Sequence, residues 1–148
     1  MKKVLAIAAL FFTIGFANAQ ESTVPSVDPN APEIKFETEV LDYGTVKFDA
    51  NGVREFKVKN VGKSPLTITN VQGQCGCTST TIDGKPGWPQ EPILPGKSAS
   101  IRVKYDTKRP GPFEKNVTVT SNSKLSSVVV KIKGVVEAAP VTPTTDGK

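Results

Sequence analysis

The sequence contains one short motif whose residue types can do chemistry, Cys75-Gly76-Cys77. Two thiols separated by one residue can form a disulfide if a tight turn brings their Cα atoms within about 7 Å. They can also exchange with the thiol of a partner, or bind Cu(I), which prefers sulfur ligands. Cys75 and Cys77 are therefore the candidate site, and a structural disulfide, a redox site and a soft-metal site are its three interpretations.

Each interpretation makes a different demand on the surroundings of the motif. Gly73 and Gly76 permit a strongly bent backbone around the cysteines. A bridge over one residue closes so short a loop that we expect only a small gain in stability. A redox role requires a group that lowers the pKa of a thiol, and Lys85 is the basic residue that could lie nearby. Zinc would need two further ligands that the chain scarcely offers, so we expect no cofactor, with Cu(I) as the alternative.

The composition argues against conventional catalysis, because the chain contains no histidine. This excludes Ser-His-Asp and Cys-His catalysis and every metal site that uses histidine. The acidic residues are scattered, and no glycine-rich phosphate loop is present. We therefore expect a protein that is not an enzyme, with thiol-redox activity left open.

Trp88 is the second candidate for a functional role, because it lies in a proline-rich segment between Pro86 and Pro92. An exposed tryptophan among prolines can bind sugars or peptides, which makes this segment a candidate ligand loop. Alternatively, Trp88 folds back to cover one end of the domain, since large aromatic side chains are mostly buried. The segment follows the cysteines closely, so we expect both at one end of the domain.

The N-terminus predicts export. Lys2 and Lys3 precede an apolar run that extends to Phe16, and a small-x-small cleavage pattern ends at Ala19. The apolar run is too short to span a membrane, so a signal peptide over residues 1–19 leaves no transmembrane anchor after cleavage. We expect the chain in the periplasm, on the cell surface or secreted. Its formal net charge of +5 falls to +3 without the two lysines, and we expect an envelope protein or a glycan as partner, not nucleic acid.

The region between the ends shows the period of two that is typical of strands. Apolar Phe56 and Val58 alternate with Lys57 and Lys59, and six further segments show the same pattern. Turn signals separate them, among them Asn51-Gly52, which predicts a tight hairpin. We predict an all-β fold, an immunoglobulin-like antiparallel β-sandwich of about seven strands, over residues 33–137. A closed barrel is the alternative. Residues 20–32 are predicted as a flexible leader and residues 138–148 as a disordered tail.

Basic residues recur in pairs at alternating positions of three predicted strands, which places them on the outer faces. We interpret them as solvated faces that protect the sheets from aggregation. A stripe that binds anionic glycans or lipid headgroups is the alternative. The pairs are Lys57 with Lys59, Arg102 with Lys104, and Lys131 with Lys133.

Several motifs occur in an order that resembles a bacterial domain-of-unknown-function family, one-five-seven-three (DUF1573). They are Phe36, Asp42-Tyr43-Gly44-Thr45-Val46, Phe56-Lys57-Val58-Lys59-Asn60-Val61-Gly62, Pro65-Leu66, Cys75-Gly76-Cys77-Thr78, Trp88-Pro89, Pro95-Gly96, Gly111-Pro112-Phe113-Glu114-Lys115 and Val117-Thr118-Val119-Thr120-Ser121-Asn122. The likeness covers residues 34–136. The sequence is also similar to the wider Hydin-type group and, more remotely, to pilus-chaperone and major-sperm-protein sandwiches.

The resemblance implies an immunoglobulin-like fold and an exported protein of Bacteroidetes-like bacteria. It implies no activity, so Cys75 and Cys77 carry over only as a family motif without a known role. Together these observations predict a non-catalytic module of the cell envelope with a structural or a protein- or glycan-binding role. The alternative is a thiol-redox or Cu(I)-binding protein that uses the two cysteines.

Overall fold

The computed structural model describes residues 28–141, whose regular structure consists of strands and turns. The predicted signal peptide, the leader up to residue 27 and the tail from residue 142 lie outside the described residues. The strands are β1 Ile34–Phe36, β2 Val40–Val46, β3 Val53–Asn60, β4 Ile68–Gly73, β5 Thr78–Ser79, β6 Thr81–Ile82, β7 Lys85–Pro86, β8 Ser98–Tyr105, β9 Gly111–Ser121 and β10 Ser127–Val136.

The strands form two four-stranded sheets that pack face to face. The first sheet has the order β1-β3-β8-β5 and the second has the order β2-β10-β9-β4, while β6 and β7 form a separate hairpin. The sheets are separate and share one hydrophobic core. The predicted all-β sandwich is therefore confirmed, and the chain does not close into a barrel.

The core follows directly from the alternation in the sequence. Apolar residues at every second position of the long strands are 0–1% exposed, and the polar residues between them face outward. Full burial of such a side chain contributes about 1.5–3 kcal/mol. These core residues are Phe56 and Val58 on β3, Ile101 and Val103 on β8, Val117 and Val119 on β9, and Val130 and Ile132 on β10.

The first two strands form one segment that changes sheets. β1 pairs antiparallel with β3 in the first sheet, whereas β2 pairs parallel with β10 in the second. The pairing of β2 departs from the predicted antiparallel arrangement because the segment keeps its direction as it passes from one sheet edge to the other. The alternation of polar and apolar residues does not contain this information, since it is the same for both kinds of pairing.

Residues 28–32, which belong to the predicted flexible leader, form hydrogen bonds to the domain. Ala31 N–H donates to the Asp28 carbonyl at 3.0 Å, and the Ser64 hydroxyl donates to the Asn30 carbonyl at 2.6 Å. Pro32 is buried, and its carbonyl accepts a hydrogen bond from Lys124 N–H at 3.0 Å. At the other end, residues 138–141 are exposed.

The predicted hairpin at Asn51-Gly52 is wrong, because β2 and β3 belong to different sheets. The connection crosses between the sheets, and its residue with a positive φ is Asp49, at 58°. Gly52 is required for a different reason, since a Cβ there would lie 2.0 Å from the Tyr105 carbonyl oxygen. A two-residue turn does occur at Asp83-Gly84, which joins β6 to β7 with φ values of 52° and 75°.

Candidate functional site

The two cysteines lie in a tight turn between β4 and β5. Thr78 N–H donates to the Cys75 carbonyl at 3.0 Å, which closes a four-residue turn. The Cα atoms of Cys75 and Cys77 are 5.2 Å apart, and the two sulfurs form a disulfide. A single intervening residue therefore suffices for the bridge, because the turn brings the Cα atoms into the range that disulfides use.

Hydrogen bonds attach this turn to both sheets. On the side of the second sheet, Gln74 N–H donates to the Asn116 carbonyl at 2.9 Å, and Asn116 N–H donates to Gln74 Oε1 at 3.0 Å. On the side of the first sheet, Asp106 N–H donates to the Cys77 carbonyl at 2.9 Å. The disulfide thus lies where the chain crosses from one sheet to the other.

The two glycines of the turn have different roles. A Cβ at Gly73 would lie 2.4 Å from the Thr78 carbonyl oxygen, so the two limbs of the turn approach more closely than a side chain allows. A Cβ at Gly76 would meet no atom within 4 Å, and its φ lies outside the left-handed region. The bent backbone therefore requires glycine at position 73 but not at position 76.

The two sulfur-bearing residues differ in exposure. Cys77 is 7% exposed and belongs to the hydrophobic core, whereas Cys75 is half-buried at the edge of that core. An open hollow of about 530 Å³ adjoins Cys75, and its other lining residues are uncharged, among them Gln72, Gln74 and Thr80. A partner could therefore approach Cys75 more easily than Cys77.

Charged groups from the end of β8 flank the other side of the turn. Lys104 and Asp106 line a hollow of about 330 Å³ beside Cys77, and Lys85 does not line it. The hydrogen bond from the Arg109 side chain, followed by that from the Lys108 backbone N–H, holds the pKa of Asp106 below its usual value. A cation and an anion thus adjoin Cys77 together. The sequence contains no local signal for this contact, which depends on the pairing of β5 with β8.

The part of the chain that the structure describes contains no group of three or more His, Cys, Asp or Glu residues placed to hold a metal ion. In the disulfide, each sulfur is bonded to the other, so Cu(I) could bind only after the bridge is reduced. The Cu(I) site stays a prediction.

Trp88 is half-buried and packs against the core. The segment before it is fixed on both sides, because Gly87 N–H donates to the Thr80 carbonyl at 2.8 Å and Arg102 N–H donates to the Gly87 carbonyl at 2.6 Å. Thr78 pairs with Tyr105 on the same edge of β8, so the cysteine turn and the tryptophan segment follow one strand edge. The packing favours the interpretation that Trp88 covers the core, and its role in ligand binding stays a prediction.

An aromatic cluster at the end of the core had no assigned role in the sequence. Tyr105 and Phe113 are stacked with ring centroids 3.7 Å apart, and Tyr43 meets Phe113 edge-on at 5.3 Å. The Tyr43 hydroxyl donates to the Gly52 carbonyl at 3.0 Å, and burial raises the pKa of Tyr43 to about 12. Tyr43 is therefore a protonated, structural hydrogen-bond donor at neutral pH. In the sequence, Tyr43 was noted only as part of the motif Asp42-Tyr43-Gly44-Thr45-Val46, which contributes to the family resemblance.

The comparison with known families agrees with the motifs. A family model described as "Protein of unknown function (DUF1573)" matches residues 34–136. No curated protein matches the chain significantly.

Solved structures resemble this fold at low sequence identity. A protein of unknown function from Porphyromonas gingivalis W83 is 16% identical with a TM-score of 0.60, and the alignment covers 76% of this chain and 51% of that chain. The chain thus spans about half the length of that protein. The ASH/PapD-like domain of human CEP192 is 8% identical with a TM-score of 0.55, covering 93% of this chain and 100% of that domain. The VesB protease of Vibrio cholerae is 12% identical with a TM-score of 0.51, covering 72% of this chain and 32% of the protease.

At such identities the likeness shows the fold alone, and it agrees with an immunoglobulin-like sandwich. Between residues 28 and 141, no helix is long and apolar enough to cross a membrane.

Proposed function

Because the chain belongs to the DUF1573 family, which is described as of unknown function, we propose its role from the geometry of the described residues. The protein is an exported, non-catalytic module of the cell envelope with a structural or a protein- or glycan-binding role. Export rests on the signal-peptide pattern of residues 1–19.

The observation that carries this proposal is the way in which the disulfide is built into the fold. Its turn is hydrogen-bonded to Asn116 of the second sheet and to Asp106 at the end of the first, and Cys77 packs in the core. These hydrogen bonds hold the turn on both sides, and the burial of Cys77 limits the access of a partner thiolate to one of the two sulfurs. The geometry supports a structural fastening of the crossover.

The sheet edges support a binding role. β2 and β4 are the outer strands of the second sheet, with seven and six residues, whereas the outer strands of the first sheet have three and two. A partner's extended segment can add to such an edge through main-chain hydrogen bonds. The register is irregular at both of these edges, in the pairing of β2 with β10 and of β4 with β9. Each edge can therefore pair only with a short segment of a partner.

The experiment that tests the proposal combines thiol chemistry with partner capture. We expect protein purified from the native envelope to contain the disulfide and to keep it in glutathione buffer, as measured by thiol alkylation and intact mass. Cross-linking in envelope extract should recover the same protein or glycan with the wild type and with the Cys75→Ala/Cys77→Ala double variant. Failure to recover any specific partner would leave only the structural role. Loss of the partner in a double variant that is still folded, or rapid reduction of the disulfide by glutathione, would contradict the structural role of the cysteines.

A thiol-redox function is the second candidate, because Cys75 adjoins an open hollow. A partner thiolate would attack the sulfur of Cys75, form a mixed disulfide with it and release Cys77 as a thiolate. A second thiolate of the partner would then release Cys75, leaving the partner oxidised to a disulfide and this protein reduced.

The Cys77→Ser variant separates the two functions. It leaves Cys75 as a free thiol, which attacks the disulfide of the oxidised partner in the reverse of this exchange and releases one partner sulfur as a thiolate. Because Cys77 is absent and cannot displace the partner, the mixed disulfide should accumulate on a non-reducing gel. The matched Cys75→Ser variant leaves only the buried Cys77 and should trap less. Absence of a trapped partner with both variants would exclude thiol exchange, and copper retained by the reduced wild type would identify the Cu(I) alternative.

A further inference from the structure

The outer face of the first sheet carries basic side chains on three adjacent strands. Each of them alternates with buried apolar neighbours such as Phe36, Val58 and Val103, so all of them point away from the core. All are exposed. This basic face consists of Lys35 on β1, Lys57 and Lys59 on β3, and Arg102 and Lys104 on β8.

One pair of these charges is unfavourable for the isolated protein. Lys35 lies directly opposite Lys59 in the register of β1 and β3. Like charges at directly opposed positions destabilise a sheet. The face also carries Glu37 and Glu55, yet among residues 28–141 none of the five basic side chains forms an ion pair. Glu55 lies directly opposite Arg102 in the register of β3 and β8, so the two glutamates offset part of this charge. The five basic and two acidic side chains leave the face with a formal charge of +3.

The second sheet shows that the fold can pair such charges. On its outer face, Lys131 contacts Glu114 at 2.8 Å and Lys133 contacts Asp42 at 3.4 Å. The hydrogen bond from Lys131 lowers the pKa of Glu114, which agrees with a close ion pair. The positive potential of the molecule is therefore concentrated on one of its two faces.

The shape and composition of the basic face indicate what it can bind. Its outward residues on β1, β3 and β8 are basic, acidic or serine, apart from Val53 at the start of β3. It offers no aromatic ring for stacking on a sugar. The larger hollows lie elsewhere, beside Gly44 and Gly134 on the second sheet and beside Cys75. Two smaller hollows of about 330 Å³ adjoin the face at Lys104, and neither is lined by Lys35, Lys57, Lys59 or Arg102. The largely flat face suits a planar, extended ligand of opposite charge.

From this charge complementarity we propose that the basic face docks on the surface of an anionic phospholipid bilayer. The proposal rests on the proposed function only in placing the protein in the cell envelope. The face has no large apolar side chain to insert between lipids, so attraction to the phosphate groups alone holds the protein there. Each basic residue near an anionic surface raises the partition coefficient about fivefold. The attraction decays over about 10 Å at 0.1 M salt, which makes binding reversible and sensitive to salt.

Vesicle sedimentation of the protein recovered after export tests the proposal. We expect binding to vesicles of equal parts phosphatidylglycerol and phosphatidylcholine, no binding to phosphatidylcholine alone, and release at about 1 M salt, where screening acts within about 3 Å. Lys57→Gln/Lys59→Gln should lower the partition coefficient about 25-fold, since it removes two charges from the basic face.

Lys131→Gln/Lys133→Gln is the matched control, because it removes the same charge at the same spacing from the opposite face. It should change the partition coefficient less than about twofold, since its charges face away from the bilayer. Equal losses in the two double variants would overturn the proposal, as would equal binding to both kinds of vesicle or capture by a soluble anionic polysaccharide without vesicle binding. Circular dichroism confirms that each variant is folded. If envelope cross-linking still recovers a partner while vesicles do not bind, the docking proposal fails and the proposed function stands.

Discussion

Asn60 ends β3 with its side chain completely buried, and each polar atom of its amide has a partner. Nδ2 donates to the carbonyls of Ser64 and Ile93, both at 2.8 Å. Oδ1 accepts from Gly62 N–H at 3.0 Å and from Glu33 N–H at 3.4 Å. One side chain thereby connects β3 to the following turn, to the segment before β8 and to the start of β1. In the sequence, Asn60 was noted as part of the motif from Phe56 to Gly62 that carries the family resemblance.

Replacing this side chain should destabilise the domain strongly. We expect Asn60→Ala to lower the free energy of unfolding by about 3 kcal/mol, because buried carbonyl and N–H groups lose their partners. Asn70→Ala is the matched control at an exposed position of β4, and we expect a change within about 0.5 kcal/mol. Urea denaturation of the two variants measures both values. Similar losses would show that the buried network contributes little.

At the scale of elements, the cysteine turn depends on one glycine and not on the other. We expect Gly73→Ala to lower the free energy of unfolding by about 2 kcal/mol or more, because its methyl group would meet the Thr78 carbonyl and force the two limbs apart. Gly76→Ala should be neutral to slightly stabilising, since the position is open and an alanine restricts the unfolded chain.

Thermal unfolding of both variants in the oxidised state provides the measurement. Intact mass should show the Cys75–Cys77 disulfide in Gly76→Ala, as in the wild type. If Gly76→Ala were instead the more destabilising substitution, the turn would have to use a conformation that only glycine can adopt at position 76.

The elements divide into those that local patterns determine and those that long-range contacts determine. Alternation predicted β3 and β8 correctly, because each strand has one face in the core. The prediction of a hairpin at Asn51-Gly52 was wrong, because β2 and β3 lie in different sheets. Glycine is needed at position 52 because the Tyr105 carbonyl, which is distant in sequence, lies against it. The spacing of the cysteines and the expected export made a structural disulfide one of three interpretations. Its neighbours Lys104 and Asp106 did not follow, since the pairing of β5 with β8 brings them there.

At the scale of the whole molecule, the two faces differ in charge although their strands look alike in sequence. The pairs Lys57 with Lys59 and Lys131 with Lys133 have the same spacing, and both were interpreted as solvated faces. The register determines the difference. It places Asp42 directly opposite Lys133, and Glu114, which faces Lys133 from β9, pairs diagonally with Lys131. Lys57 and Lys59, by contrast, face Ser100 and Ser98 on β8. Charge patterning in a single strand therefore could not predict which face remains basic.

The integrity of the sandwich depends on its last strand. β10 lies between β2 and β9 in the second sheet, and Val130, Ile132 and Val136 place it in the core. A chain that ends at Ser126 lacks this inner strand, which leaves β2 without its partner. We expect it to be unfolded, because the loss of several buried side chains at about 1.5–3 kcal/mol each exceeds the stability of about 5–15 kcal/mol typical of a domain.

A chain that ends at Glu137 is the matched control. It keeps all of β10 and the hydrogen bond from Glu137 N–H to the Val46 carbonyl at 2.8 Å. We expect its free energy of unfolding to lie within about 0.5 kcal/mol of the full-length value, since residues 138–148 are predicted to form a disordered tail. Fluorescence of Trp88, the single tryptophan, and far-UV circular dichroism during urea titration measure both truncations. Cooperative unfolding of the shorter chain would contradict the central role of β10, and a clear loss in the longer one would mean that the tail packs on the domain.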